Sequence, residues 1–361
     1  MQEDSPQPNP PLRRVLASPW PLTLGLFVPL WLLVQSRVWL GLELGVVDRG
    51  VLELWVHGPQ PGWLDWVPFI HPPGYSLFMN TMDAVSRAAG VEAASLVFWF
   101  GAVLTLTASL LAVRVAQQRW GALPAVVVSA LVVFDPQSLR PFEHYPLARL
   151  ALLCAFLALT ASPRVSLAAA IAATFVSVEI HLSSWFLLGP LLAWKVVFGE
   201  GDERGWSGRV LLSLLGLFAL TTPFGLYEAL AFGGGPGGDP GRATVEWANP
   251  FLLLALLLAL RGRLRGPALA ALCFTGITWA LQTLQLADGT PFPYSLHYFE
   301  LVGPVMVLIL VGAWVEVRAA TLNPKSTVTL LAVLLVASQW TLFLRGLLEI
   351  FVQGRWILMV G

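Results

Sequence analysis

The stretch from residue 41 to residue 79 reads GLELGVVDRGVLELWVHGPQPGWLDWVPFIHPPGYSLFM and follows the first long apolar segment. It mixes acids, histidines and tryptophans with apolar residues, so it is amphipathic and not continuously apolar. A segment of this kind lies along a membrane surface. It ends in His71-Pro72-Pro73-Gly74-Tyr75, a rigid break at which a new element begins. The stretch therefore predicts a surface segment attached to a membrane-spanning bundle.

The composition of the whole chain supports this prediction. Of its 361 residues, 57% are hydrophobic and 12% are charged, and the mean hydropathy is +0.73. A soluble domain carries about 25% charged residues. Apolar runs recur at lengths near the ~20 residues that cross a bilayer, without the alternating strands of a barrel. We therefore expect an all-α, polytopic transmembrane bundle in contact with the lipid bilayer. A formal net charge of zero gives no support to a nucleic-acid partner.

The apolar runs divide the chain into about eleven spans within one transmembrane domain over residues 17–345. The Pro-rich residues 1–16 are expected to be a disordered cytoplasmic tail, and residues 346–361 an amphipathic C-terminal tail. Residues 41–72 form the outer-face surface stretch, and residues 73–90 are expected not to cross. The predicted spans are 17–40, 92–113, 121–134, 146–161, 166–179, 183–198, 209–226, 250–261, 267–286, 299–317 and 326–345.

The distribution of basic residues predicts the orientation. If Arg13 and Arg14 are cytoplasmic and residues 73–90 do not cross, basic residues dominate the inner loops and acidic residues the outer ones. If residues 73–90 cross, the bias largely reverses. The first arrangement obeys the rule for short loops. It also places all five histidines on the outer side. In this interpretation the membrane is the bacterial inner membrane, and the active face points outward.

Four polar clusters on that outer side are candidates for chemistry, since ionisable groups at the edge of a membrane interior suggest a functional site. A carboxylate near a basic group suits activation of a hydroxyl, and arginine is a good clamp for phosphate. Each cluster also has a structural alternative. Asp48 could be a solvated helix cap, and the loop 135–145 could hold a local ion pair. Glu179 with His181 could form a turn whose polar groups satisfy each other, and His297 with Tyr298 could be interfacial anchors. The clusters are Asp48 with His71; Arg140, Glu143 and His144 in the loop 135–145; Glu179 with His181; and His297 with Tyr298.

Several segments of the chain resemble those of the GT-C superfamily of membrane glycosyltransferases, in the branch of protein O-mannosyltransferases and aminoarabinose transferases. The similar features are an acid after the first span (Asp48), the motif HPPGYSLFM, and the segment VVFDPQSLRPFEHYPLARLALLCAFLAL. The late segment HYFELVGPVMVLI is similar to that branch's Arg-Tyr element, with His297 in place of the usual arginine. Residues 20–200 carry most of the likeness, through the order and spacing of the motifs.

The resemblance implies transfer of a sugar from a polyprenyl-phosphate donor to an acceptor hydroxyl on a glycan, lipid or protein, with inversion at the anomeric carbon. It implies Asp48 as the catalytic base. The side chains implied to bind substrate, including the lipid phosphate, are those of His71, Tyr75, Arg140, Glu143, His144, His181, His297 and Tyr298.

The resemblance implies no cofactor, and Arg49 stands where the family often has a second acid, so we expect no metal ion at Asp48. Two alternatives stay open at this stage. One is a transporter or flippase of a lipid-linked sugar, which would tend to carry charged residues near the midplane and internal repeats. The other is a non-catalytic scaffold with the same fold.

Overall fold

The computed structural model describes residues 18–43, 73–133, 145–161, 163–181, 183–221, 264–287 and 299–320, together with Leu257 and Leu260. Within these residues the long elements are all helices, which confirms the all-α class. We number the helices in chain order. They are α1, built from Trp20–Leu22, a π-helical turn at Thr23–Phe27 and Val28–Glu43; α2, Pro73–Ala89; α3, Ala93–Trp120; α4, Ala122–Val133; α5, Tyr145–Thr160; α6, Leu167–Ile180; α7, Ser184–Phe198; α8, Asp202–Thr221; α9, Arg265–Ala287; and α10, Phe299–Ala320.

Two of the described helices, over Trp20–Trp39 and Ala93–Trp120, are long and apolar enough to cross a membrane by length and composition. Five shorter apolar helices accompany them, each of 10–17 residues. The predicted number of about eleven spans is therefore not confirmed. Both tails, the surface stretch 41–72 for the most part, the span 326–345 and most of the span 250–261 lie outside the described residues.

Local capping sets several of the helix ends. Gly121 has a φ of 87° and ends α3, where a residue with a Cβ would be strained. The Ser166 hydroxyl accepts a hydrogen bond of 3.3 Å from the backbone N–H of Ala169 and so caps the start of α6. As a result, α4 to α7 begin and end within a residue or so of the predicted spans.

Two helices are longer than the apolar pattern predicts. Helix α3 continues past the predicted end at residue 113 as far as Trp120, because nothing in its polar last turns breaks a helix before Gly121. Helix α8 already begins at Asp202, within the predicted loop 199–208, and its first turn carries Asp202 and Glu203. Acids in a first turn favour helix formation through the helix dipole.

Interhelical hydrogen bonds fix the first helix against α3 and α4. The Trp20 indole N–H donates to Gln117 Oε1 at 2.9 Å, so the start of α1 lies beside the end of α3. The buried Thr23 hydroxyl bonds the carbonyl of Pro19 and the hydroxyl of Ser129, both at 2.9 Å. Thr23 is the first residue of the π-helical turn. A hydrogen bond from a threonine side chain to the backbone carbonyl four residues earlier often bends a helix.

The antiparallel helices give the bundle two ends, which we name after a residue at each. The His181 end holds the starts of α5 and α7 and the end of α6. The Lys195 end holds the ends of α3, α5 and α7 and the starts of α8 and α9. At 1.5 Å per residue, the 16 residues of α5 separate the two ends by about 24 Å.

Helix α10 forms much of the core between the two ends. Its residues Val302 and Val305 to Val311 are buried. Leu308 and Ile309 face a cavity at the Lys195 end, so the chain enters α10 from the direction of the His181 end. The predicted site residues His297 and Tyr298 immediately precede this helix but lie outside the described residues.

Helix α2 folds back along the first turns of α3 and does not run between the two ends. Gly74 at its start lies against Glu179 at the end of α6, and Phe78 stacks on Phe100 of α3 with ring centroids 6.2 Å apart. A short turn at residues 90–92 joins the two helices. The expectation that residues 73–90 do not cross the membrane stays a prediction.

The orientation can be tested by labelling single cysteines, after replacing Cys154 and Cys273. Ser207, which falls in the predicted inner loop, is unsuitable because it is fully buried. Val91 and Asp202 are exposed near opposite ends of the bundle. In intact cells, an impermeant thiol reagent is expected to label Val91→Cys and to leave Asp202→Cys unlabelled until the membrane is opened. The reverse pattern would invert the orientation.

Candidate functional site

The structure brings parts of three predicted clusters together at the His181 end. The Tyr145 ring, at the end of the loop 135–145, packs against the imidazole of His181 with ring centroids 5.7 Å apart. The backbone of Gly74, from the HPPGY motif, lies against the backbone of Glu179 and Ile180. Residues that lie about 35 to 110 positions apart in the sequence thus meet at one place, which is the candidate site.

His181 is buried and held in a defined orientation. Its backbone N–H donates to the Ser177 carbonyl at 3.2 Å, which ends α6. Its Nδ1 lies 2.7 Å from the Ser183 hydroxyl and 3.4 Å from the Ser183 backbone N–H. Because a backbone N–H can only donate, these contacts favour Nδ1 as the acceptor and place the proton of a neutral ring on Nε2. The ring is thereby oriented as a donor through Nε2.

Two buried hydroxyl groups close to His181 in the chain could form further hydrogen bonds. Ser177 and Ser184 are fully buried, and neither hydroxyl oxygen has a hydrogen-bond partner within the described part of the chain. A buried hydroxyl without a partner costs about 1–3 kcal/mol. Such groups are readily satisfied by water or by the polar atoms of a bound molecule.

The starts of three helices meet at this end of the bundle. Helices α2, α5 and α7 all begin around the turn between α6 and α7, at Pro73, Tyr145 and Ser184. Helix N-termini carry partial positive charge and unpaired backbone N–H groups, and they favour anions such as phosphate. Helices α1, α4 and α6 run the opposite way and end on this side of the bundle, so the partial positive charge is confined to the helix starts themselves.

Arg149 is a residue that the sequence analysis did not single out. It follows Tyr145 by one helical turn, so both residues lie on the same side of α5. Its side chain is only 2% exposed and is among the largest fully buried side chains of the described residues. An arginine within an apolar span was the signal that could have found it, since such charges are rarely present without a function. Its guanidinium is thus part of the packed interior of the bundle, on the side of α5 that carries Tyr145.

The remaining predicted site residues are not placed by the structure. Tyr75 lies in the first turn of α2, but its side chain is outside the described set. Those that lie wholly outside the described residues are Asp48, His71, Arg140, Glu143, His144, His297 and Tyr298. Among the described residues, no group of three or more His, Cys, Asp or Glu side chains is arranged to hold a metal ion.

The His181 turn provides a first test of this local architecture. His181→Ala removes the ring contact with Tyr145 and the hydrogen bond with Ser183. Each contact contributes about 0.5–1.5 kcal/mol, so we expect a loss of about 1–3 kcal/mol in the free energy of unfolding. Ser183→Ala removes only the hydrogen bond and should lose about half as much. Thermal unfolding in detergent measures both, and equal losses would show that the ring contact with Tyr145 contributes nothing.

Comparisons with known proteins give one structural neighbour. No protein-family model and no curated protein matches the sequence. The chain is similar to the crystal structure of ArnT from Cupriavidus metallidurans in the apo state, with a TM-score of 0.48 and 19% sequence identity. The alignment covers 93% of this chain and 75% of the ArnT chain. At this level of similarity the neighbour assigns no residue role, and the candidate site is argued from its own geometry.

Proposed function

We propose that the protein is a membrane glycosyltransferase that moves a sugar from a polyprenyl-phosphate donor to an acceptor hydroxyl at the outer face of the membrane. The site is the His181 end of the bundle. The acceptor is a hydroxyl of a glycan, a lipid or a protein. The proposal joins the motif resemblance of the sequence to the convergence of helix starts at that end.

One observation supports the proposal most directly: the starts of α2, α5 and α7 converge on the His181 turn. A lipid-linked donor presents an anionic phosphate to the protein at a membrane surface. The converging helix starts and the oriented His181 ring both favour such an anion. The HPPGY and 135–145 segments that the resemblance assigns to the lipid phosphate both lead into this end.

The proposed reaction needs one base and a set of groups for the leaving phosphate. Asp48 takes the proton from the acceptor hydroxyl, whose oxygen attacks the anomeric carbon. The bond from that carbon to the phosphate oxygen breaks, and the configuration inverts. His71, Arg140 and His297 are proposed to stabilise the charge that develops on the leaving phosphate, where fixed donors have their largest effect on the barrier. Tyr75, Glu143, His144, His181 and Tyr298 are proposed to line the substrate site.

The direct test is sugar transfer by the purified chain in lipid vesicles. The vesicles carry a radiolabelled polyprenyl-phosphate sugar, and the label is followed both into an acceptor and across the bilayer. Transfer into the acceptor fraction supports the proposal. Movement of the lipid across the vesicle membrane without transfer of sugar would instead establish the flippase function, and neither activity with any acceptor class would leave the scaffold alternative.

A further inference from the structure

A second polar site lies at the Lys195 end, about 24 Å from the candidate site along α5. A cavity of about 250 Å³ opens there between the ends of α3, α5 and α7 and the starts of α8 and α9. Arg119, Lys195 and Glu203 supply its charged lining, and Leu308 and Ile309 of α10 lie along its apolar side. None of these residues belongs to the site proposed for sugar transfer.

The charged lining of the cavity has a surplus of one positive charge. Lys195 is largely buried, and its ammonium group donates to the Glu203 carboxylate at 2.5 Å, which balances these two charges. Within the described residues, the Arg119 guanidinium donates to a neutral group, the Thr160 hydroxyl, at 3.4 Å. A singly charged anion would therefore neutralise the described lining, and a guanidinium is well shaped to bind the oxygens of a phosphate group.

Two tryptophans form fixed walls of the cavity. A Cβ added at Gly266 would lie 2.5 Å from Trp194 Cδ1, and one added at Gly312 would lie 2.6 Å from Trp120 Cζ2. Each indole is thus seated on a glycine of a neighbouring helix, so the cavity walls are set by close packing. Indole rings are enriched at the headgroup level of membranes. Phe198, which lines the cavity, and its neighbour Val197 are both more than half exposed.

We propose that this cavity binds the phosphodiester of an anionic phospholipid headgroup, in the leaflet opposite to the candidate site. The chemistry that it recognises is a singly charged phosphate next to an apolar chain. Arg119 binds the phosphate oxygens, the indoles of Trp120 and Trp194 flank the headgroup, and the exposed apolar residues beside the opening contact the acyl chains. Basic pockets between helices on a cytoplasmic face bind anionic lipids in this manner.

The test is lipid retention by the purified, delipidated full chain, measured by native mass spectrometry. The probes are phosphatidylglycerol, phosphatidylcholine and inorganic phosphate at matched concentrations. We expect phosphatidylglycerol to be retained about tenfold more tightly than phosphatidylcholine. Equal retention of the two lipids would overturn the proposal. Displacement of phosphatidylglycerol by equimolar inorganic phosphate would assign the cavity to a free phosphate and overturn its assignment to a lipid.

Three variants connect retention to the cavity. Arg119→Gln should weaken phosphatidylglycerol retention about tenfold or more, because a charge-assisted hydrogen bond is lost. Arg114→Gln is the matched control, since Arg114 is exposed on the same helix and does not line the cavity. Glu203→Gln removes the negative charge of the lining and should strengthen retention. Unchanged retention in Arg119→Gln, or weaker retention in Glu203→Gln, would overturn the proposal.

Discussion

Replacing Asp48 by asparagine is expected to lower the rate of sugar transfer by about 10²–10⁴-fold. The substitution keeps the size of the side chain and removes the carboxylate that is proposed to accept the proton of the acceptor hydroxyl. Loss of a positioned base costs this factor, which corresponds to about 3–5 kcal/mol of activation free energy. In the sequence, Asp48 follows the first apolar segment, which is the position of the catalytic acid that the motif resemblance implies. The measurement is transfer from the radiolabelled donor at matched amounts of protein.

Asp83→Asn is the matched control for this experiment. Asp83 forms an ion pair of 2.8 Å with the exposed Arg87 one turn later on α2, a pair worth at most about 1 kcal/mol. It is an acid on the next segment of the chain, and it has no proposed role in the reaction. Transfer by Asp83→Asn should stay near that of the wild type. Wild-type transfer by Asp48→Asn would show that Asp48 is a helix cap and would remove the proposed base.

Gly74→Ala is expected to have the second largest effect. A Cβ at this position would lie 2.5 Å from the Glu179 carbonyl oxygen and 2.8 Å from its carbonyl carbon, so α2 or the end of α6 must move. Both are backbone atoms that cannot rotate away. Overpacking of this kind costs about 1–3 kcal/mol in the free energy of unfolding. Because α2 starts at the candidate site, a shift near 1 Å should also lower transfer about 10²-fold.

The control for Gly74→Ala is Gly276→Ala in the interior of α9. No atom lies within 4 Å of a Cβ built there, so the new methyl group is accommodated. Alanine is also the better helix former, which should raise stability by about 0.5–1 kcal/mol. Thermal unfolding and transfer assays on both variants separate the effect of the contact from a general effect of alanine. Equal behaviour of the two variants would contradict a functional contact between α2 and α6.

The sequence predicts the local structure of the bundle better than its assembly. The predicted bounds of α4 to α7 are correct because capping and breaking residues such as Gly121 and Ser166 act within a few residues of themselves. The predicted loop 199–208 is wrong because apolar length alone does not register a polar first turn of a helix. The distribution of charged residues predicts that the polar clusters lie on the same side of the membrane. It does not predict which of their residues are in contact.

The meeting of Gly74, Tyr145 and His181 depends on tertiary packing, which no local pattern encodes. Glu179 and His181 looked like a turn that satisfies itself, whereas the ring of His181 contacts a residue from another segment. Arg149 is a single charge in an apolar span, and the sequence of the span alone does not show that its side chain is buried. The roles of Asp48, His71 and Arg140 stay predictions, since they come from the motif resemblance and lie outside the described residues.

The short helices of the bundle have a consequence for the surrounding lipid. Helix α4 has 12 residues and α5 has 16, which gives lengths of about 18 Å and 24 Å. The hydrocarbon layer of a typical bilayer is about 30 Å thick. Where such helices meet lipid, a layer of ordinary thickness must be compressed by several ångströms, or charged residues beyond the helix ends must reach past it. In the proposed membrane setting, a thin bilayer with short acyl chains is therefore the solvent in which the described lengths of these helices are least strained.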